Sequence, residues 1–187
     1  GPPLQTNVNF LTEFNSISGD VVINNAKTVT LVGDPSNNFG NSAPGRDVQL
    51  STTNGDIITN NVNITSSNGR IALTANDQGA GGNIYVGPKV FDNNPTGPGG
   101  ISSGAAPIFL YAADTITINR HVTTSGGVNG NVQMIAGTGP GINTLHATFA
   151  SPNPAAPTET VADDIGAILL NAQINTGTGN TVLVTSA

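Results

Sequence analysis

The sequence predicts an all-β protein of the stacked-coil kind, a parallel β-solenoid. Three observations carry that expectation. A short alternating run recurs four times: Gly19-Asp20-Val21-Val22-Ile23-Asn24-Asn25, Gly55-Asp56-Ile57-Ile58-Thr59-Asn60-Asn61, Asp114-Thr115-Ile116-Thr117-Ile118-Asn119-Arg120 and Gly166-Ala167-Ile168-Leu169-Leu170-Asn171-Ala172. A second run, opened by Gly and a polar residue, accompanies it as Gly69-Arg70-Ile71-Ala72-Leu73, Gly130-Asn131-Val132-Gln133-Met134 and Gly179-Asn180-Thr181-Val182-Leu183. Self-similarity of this kind marks units that bury their apolar faces on copies of themselves. Helical periodicity, the third test, is absent, and Gly or Pro interrupts nearly every stretch long enough for a helix.

Residues 1–18 read as a separate N-terminal segment and residues 19–187 as the solenoid. Leu4, Val8, Phe10, Leu11 and Phe14 make the first segment the most aromatic-rich short stretch. It suits a cap over the first coil or a contact with another subunit. The strands then follow in order. Beyond the repeats, they include Val29-Thr30-Leu31-Val32, Val48-Gln49-Leu50, Ile84-Tyr85-Val86 and Ile108-Phe109-Leu110-Tyr111. In each, alternate residues point inward and the Thr, Asn, Gln or Ser between them points to solvent.

Asn54-Gly55, Asn68-Gly69 and Asn129-Gly130 favour positive φ and tight corners. The first two steps lie 68 − 54 = 14 residues apart, with another corner at Asn60-Asn61 between them. That spacing fits one side of a coil better than a two-residue hairpin. A full winding of roughly 20–25 residues gives about eight irregular coils. At a strand spacing of ~4.8 Å the rod is then roughly 40 Å long. Insertions near residues 33–44, 92–107 and 137–164, rich in Gly, Pro and Asn, leave the corners as loops.

Composition narrows the function classes. The 187 residues suffice for one continuous core. Charged residues make up 9% of the chain, far below the roughly 25% of ordinary soluble proteins. No apolar run approaches the roughly 20 residues of a spanning helix, which argues against membrane insertion. The net charge is −6, and Lys27, Arg46, Arg70, Lys89 and Arg120 are scattered. No basic patch forms, so neither nucleic acid nor an anionic membrane is a fitting partner. Cysteine is absent, which excludes a disulfide framework. The opening Gly1-Pro2-Pro3 fits a processed chain, a protease scar or a piece of a longer protein.

Residues 114–137, Asp114-Thr115-Ile116-Thr117-Ile118-Asn119-Arg120-His121-Val122-Thr123-Thr124-Ser125-Gly126-Gly127-Val128-Asn129-Gly130-Asn131-Val132-Gln133-Met134-Ile135-Ala136-Gly137, resemble the repeat of filamentous haemagglutinin and related two-partner-secretion exoproteins. Residues 55–75 and 167–185 are similar to it as well. The resemblance covers about half of the chain, at the level of the repeat. It implies a right-handed parallel β-helix, secretion to the cell surface, and a role in adhesion or fibre building. The family's secretion domain carries an Asn-Pro-Asn-Leu type motif, which Pro152-Asn153-Pro154 does not match. The chain then corresponds to a piece of the shaft or to a small protein built on the same coil.

The chemistry-bearing residues are few. The eleven acids are Glu13, Asp20, Asp34, Asp47, Asp56, Asp77, Asp92, Asp114, Glu159, Asp163 and Asp164. Asp20 and Asp56 share a place in two repeats and Asp114 precedes the strand in a third. A ladder of them would suit a cation or an acid–base pair. Asp before a strand is, more ordinarily, a corner residue bonded to backbone. Gly79-Ala80-Gly81-Gly82-Asn83-Ile84 lacks the Asp and the tandem copies of a calcium-binding nonapeptide. His121 and His146, without Cys, make a poor zinc set. There is no Gly-x-Ser-x-Gly elbow to support a nucleophilic triad. Thr pairs such as Thr28/Thr30 and Thr115/Thr117 show no common register over successive coils, as an ice-binding face requires. Asn63-Ile64-Thr65 matches a glycosylation sequon. Tyr85 and Tyr111 are the candidate aromatics for sugar stacking.

The resulting expectation is a non-enzymatic extracellular solenoid without catalytic residues, metal or cofactor. It acts as a shaft or fibre subunit of a bacterial surface structure, adhesive or purely structural. Its open ends associate head to tail or continue in a longer chain, and surface glycans are further partners. The alternative is a polysaccharide-active or carbohydrate-binding β-helix.

Overall fold

A computed structural model describes residues 2–12, 15–16, 18–33, 38–41, 43–79, 81–126, 129–137 and 166–185. These residues hold nineteen strands and no helix. The first winding contributes β1 (Leu4–Thr6), β2 (Phe10–Leu11) and β3 (Asn15–Ser16). The second has β4 (Val21–Asn25), β5 (Val29–Leu31) and β6 (Asn38–Asn41). The third has β7 (Val48–Thr52), β8 (Ile57–Ile58) and β9 (Asn63–Ser66). The fourth has β10 (Ile71–Ala75), β11 (Ile84–Val86) and β12 (Ile101–Ser103). The fifth has β13 (Ile108–Ala112), β14 (Thr115–Ile118) and β15 (Val122–Thr124). The sixth has β16 (Val132–Ala136), β17 (Ala167–Leu170) and β18 (Ile174–Asn175), and β19 (Thr181–Thr185) opens a seventh.

Equivalent strands stack in chain order into three sheets. Sheet A runs β1-β4-β7-β10-β13-β16-β19, sheet B runs β2-β5-β8-β11-β14-β17, and sheet C runs β3-β6-β9-β12-β15-β18. Every neighbouring pair is parallel, as in β4 with β7, β11 with β14 and β12 with β15. This is the parallel solenoid that the repeats predict.

The period-two pattern explains the core. Val21, Val48, Ile71, Ile108 and Val132 stack in one inward column of sheet A. Ile57, Ile84 and Ile116 stack in sheet B, and Phe39, Ile64, Ile101 and Val122 in sheet C. All of them are buried, and one cluster joins the inward faces of the three sheets. Each such aliphatic side chain stabilises the fold by about 1.5–3 kcal/mol relative to exposure. A second, smaller cluster of Ala72, Phe109, Tyr111 and Ile135 lies on the other face of sheet A.

Two details differ from the sequence-based expectation. Six windings and an opening seventh strand replace about eight coils. Between equivalent sheet A residues, the windings without an expected insertion take 71 − 48 = 23 and 132 − 108 = 24 residues, and the one holding 33–44, where Asn38–Asn41 forms β6, takes only 48 − 21 = 27. The windings holding the other two insertions take 108 − 71 = 37 and 181 − 132 = 49. The insertions therefore consume the length of the missing coils. Six spacings of ~4.8 Å make sheet A about 29 Å deep. Second, the four recurring runs do not share one sheet. The run containing Val21 lies on sheet A, whereas those containing Ile57, Ile116 and Ile168 lie on sheet B.

The N-terminal segment follows the same plan as the later windings. Leu4 pairs with Ile23 and Leu11 with Leu31, so its strands lie over the second winding. Within the expected insertion at 92–107, Ile101–Ser103 forms β12. Most of the insertion at 137–164 lies outside the described residues.

Candidate functional site

The corners hold most of the polar chemistry. The residue just before each sheet A strand accepts the N–H of its counterpart one winding further on. Asp20 Oδ1 accepts from Asp47 N at 3.1 Å, Asp47 Oδ1 from Arg70 N at 2.9 Å, and Asn131 Oδ1 from Asn180 N at 2.8 Å. The series is interrupted at the two steps that involve Pro107. From Arg70 to Pro107, arginine has no acceptor and proline has no N–H, so no rung is needed; from Pro107 to Asn131, proline has no side-chain acceptor and Asn131 N bonds Asn129 O at 2.9 Å instead. Arg70 instead turns back and pairs with Asp47 Oδ2 at 2.7 Å.

Sheet B has its own series. Thr28 Oγ1 accepts from Asp56 N at 3.0 Å, Asp56 Oδ1 from Asn83 N at 3.1 Å, and Asn83 Oδ1 from Thr115 N at 3.2 Å. Sheet C uses Asn63, which accepts from Gly99 N and Gly100 N at 2.9 and 3.1 Å, and His121, whose Nδ1 accepts from Gln173 N at 3.0 Å. The proposed stack of Asp20 on Asp56 is therefore corrected: the two acids stand at different corners. The corner reading of these acids holds, but their bonds cross to the next winding, not to their own turn.

Asp56 is the most elaborated of these groups. It is 7% exposed, and Lys89 Nζ donates to its Oδ2 at 2.7 Å. Its Oδ1 also accepts from Gly82 N at 3.3 Å and Asn83 Nδ2 at 3.0 Å. A Cβ on Gly81 would meet that oxygen at 2.5 Å, and Gly81 has φ +109°. The glycine-rich turn thus wraps the protein's own carboxylate. Burial pushes the Asp56 carboxyl up, but the bonds from Lys89 and Asn83 outweigh it and hold the value below the ordinary one. The bond to Asp56 raises the Lys89 ammonium above its usual range. Lys89 also lies 5.0 Å over the Tyr85 ring, a cation–π contact. Burial and the Asp56 charge raise the Tyr85 phenol. Asp114 joins through Asn83 Nδ2, which donates to its Oδ2 at 3.5 Å.

Arg120 anchors the loop between β11 and β12. It is 4% exposed and grips Asp92 through two bonds, Nη1–Oδ1 at 2.9 Å and Nη2–Oδ2 at 2.6 Å. Its Nε donates to Pro98 O at 2.9 Å. The bonds from Arg120 hold Asp92 below the ordinary carboxylate value.

A concavity of about 760 Å³ lies along the entry corner and outer face of sheet A. Asp47, Arg70, Pro107, Asn131 and Asn180 line it, one from each of five successive windings. Phe109, Gln133 and Val182 add side chains from the strands. A second hollow of about 240 Å³ lies on sheet C beside Thr65, Ser102, Thr123 and His121. Thr65, Ser102 and Thr123 share one register there, a short hydroxyl row that the Thr pairs in the sequence do not reveal.

The remaining sequence candidates separate. Tyr111 is fully buried and donates to Gln133 Oε1 at 2.8 Å, so it offers no face for a sugar; Tyr85 is half-buried beneath Lys89. Asp77 is buried and accepts from Gly79 N. Glu13, Asp34, His146, Glu159, Asp163 and Asp164 lie outside the described residues. Among the described residues no group of three or more His, Cys, Asp or Glu is placed to hold a metal ion. Sequence reasoning missed Lys89, Arg120 and Gln133, whose partners lie many residues away.

No family model, curated protein or solved structure matches this chain.

Proposed function

We propose that this chain is a structural β-solenoid, a shaft segment or fibre subunit of an extracellular surface structure, without catalytic activity. One observation supports the reading most: the corner acids work as fasteners between windings. Asp20, Asp47 and Asp56 each accept a backbone N–H from the next winding. Such groups are committed to stacking and are not poised for acid–base exchange.

The described ends fit the same role. Leu4 is 58% exposed at one end, and Leu170 and Leu183 are 48% and 44% exposed at the other. These positions continue the columns of Ile23, Ile118 and Met134. A further winding, from the same chain or a second copy, covers them. Electron microscopy of concentrated protein tests the fibre form, with end-to-end rods as the expected result. Monodisperse short rods at every concentration would overturn the self-assembling form.

The polysaccharide-active alternative has one specific support. Asp56 and Asp114 both bond to Asn83 Nδ2, so their bonded oxygens lie within 3.0 + 3.5 = 6.5 Å of each other. That upper limit admits the roughly 5–5.5 Å separation used by retaining glycosidases. Hydrolysis of a polysaccharide by the wild-type chain, abolished by Asp114→Asn, would favour this alternative and sink the structural reading.

A further inference from the structure

We infer that the trough along sheet A binds a single linear, uncharged glycan chain. This goes beyond the structural role and does not depend on fibre formation.

The trough has a cause in the sequence. At the entry to sheet A the fourth winding presents Asn68-Gly69-Arg70 and the sixth presents Asn129-Gly130-Asn131. Between them the fifth presents Ala105-Ala106-Pro107, three residues without a long polar side chain. The corner is therefore cut back at its centre and walled on both sides. Its volume, about 760 Å³, is that of an ordinary ligand site.

The lining selects the ligand class. Its side-chain charges, Asp47 and Arg70, pair with each other at 2.7 Å, so an ionic ligand finds no unmatched charge. The remaining polar side chains are the amides Asn68, Asn129, Asn131, Gln133 and Asn180. An amide offers a donor and an acceptor side by side, which matches adjacent hydroxyls. Pro107 and Val182 supply apolar surface for the C–H faces of sugar rings, over a floor to which the buried Phe109 contributes. The windings repeat at ~4.8 Å, so a polymer of short regular units meets similar walls at each step. An extended peptide fits less well. The trough lies over a sheet face, where no free strand edge offers it a ladder of backbone bonds.

Gln133 supplies an independent pointer. It is 4% exposed and lines the trough, and its Oε1 accepts the Tyr111 hydroxyl at 2.8 Å. That bond fixes the amide orientation. Its Nε2, buried, has no hydrogen-bond partner among the described residues. An unmet buried donor is costly, and a hydroxyl oxygen seated in the trough would meet it.

The test is calorimetric titration of the whole chain with uncharged gluco-, manno- and galacto-oligosaccharides of increasing length, and with polygalacturonate as the anionic contrast. One uncharged series is expected to bind, more tightly with length until the trough is filled. Asn180→Ala, which keeps the backbone rung, and Ala105→Tyr, which blocks the cut-back corner, should each weaken binding at least about tenfold. Thr123→Ala on sheet C should leave affinity unchanged, and all three variants should keep the wild-type melting temperature. The inference is overturned by no binding of any uncharged series at millimolar concentration. It is equally overturned by preference for the anionic chain, or by binding indifferent to Asn180→Ala and Ala105→Tyr.

Discussion

Lys89 Nζ lies 2.7 Å from Asp56 Oδ2, and this contact closes a turn around a carboxylate that three other donors already hold. The folded Asp56 value is lowered from 3.8, so its contribution is complete above that pH and is lost as pH falls through the folded value. The folded Lys89 value is raised from 10.5, so its contribution is complete below that pH and is lost as pH rises through the folded value. Urea midpoints of wild type should be flat between these limits with respect to this pair. In Asp56→Asn the part of the acid-side loss that comes from this carboxylate should vanish, leaving lower stability at neutral pH. An unchanged acid limb in that variant would refute the assignment.

The step from Arg70 to Pro107 makes a coupled prediction. Pro107→Ala restores an N–H above a residue that has no acceptor to give it. Arg70→Asn supplies an acceptor but loses the ion pair with Asp47. In a double-mutant cycle measured by denaturant unfolding, the two changes together should be favourable by about 1 kcal/mol over the sum of the singles. Strict additivity would mean that the rung does not form.

His121 tests the same principle on sheet C. His121→Asn retains a side-chain acceptor for Gln173 N, whereas His121→Leu removes it. The Leu variant should lose about 1 kcal/mol and the Asn variant much less. Amide exchange at Gln173 is the local readout, and it should accelerate in the Leu variant alone.

Arg120→Ala should free the loop that bridges β11 and β12. The loss of its charged bonds to the Pro98 and Asn119 carbonyls alone should cost about 2 kcal/mol or more. Limited proteolysis should then cut within residues 92–98 faster than in the wild type. Persistent protection would show that the loop is held by other contacts.

Much of the architecture was legible because a parallel stack needs little more than alternating aliphatics and polar corners. Ile71, Ile108 and Val132 announce their column through Gly-polar or Pro openers and period-two spacing. The misassigned first repeat is instructive. Val21 follows Asp20 just as Ile57 follows Asp56, yet the two acids serve different corners. Asp20 carries a bond to Asp47, whereas Asp56 belongs with Asn83. Local spelling identifies a corner but does not number it, because any corner needs an acceptor before a strand. The coil count failed for a related reason: insertions can leave between any two strands without disturbing the columns. Of the candidate site, the amides were visible but their convergence was not. Asn68 and Asn180 lie far apart in sequence and meet only through the winding.

The corner rungs also constrain how such a chain can be edited by duplication or loss. Repeating residues 21–47 leaves Asp47 followed by another Asp47, acceptor against donor, and the junction remains satisfied. Repeating residues 48–70 is different, because the first Arg70 would then face the N–H of the second with nothing to offer it, where Asp47 serves that N–H now. Whole modules are therefore not interchangeable beads on this string: some can be copied freely, while the one ending in Arg70 can be copied only with a compensating change at that residue.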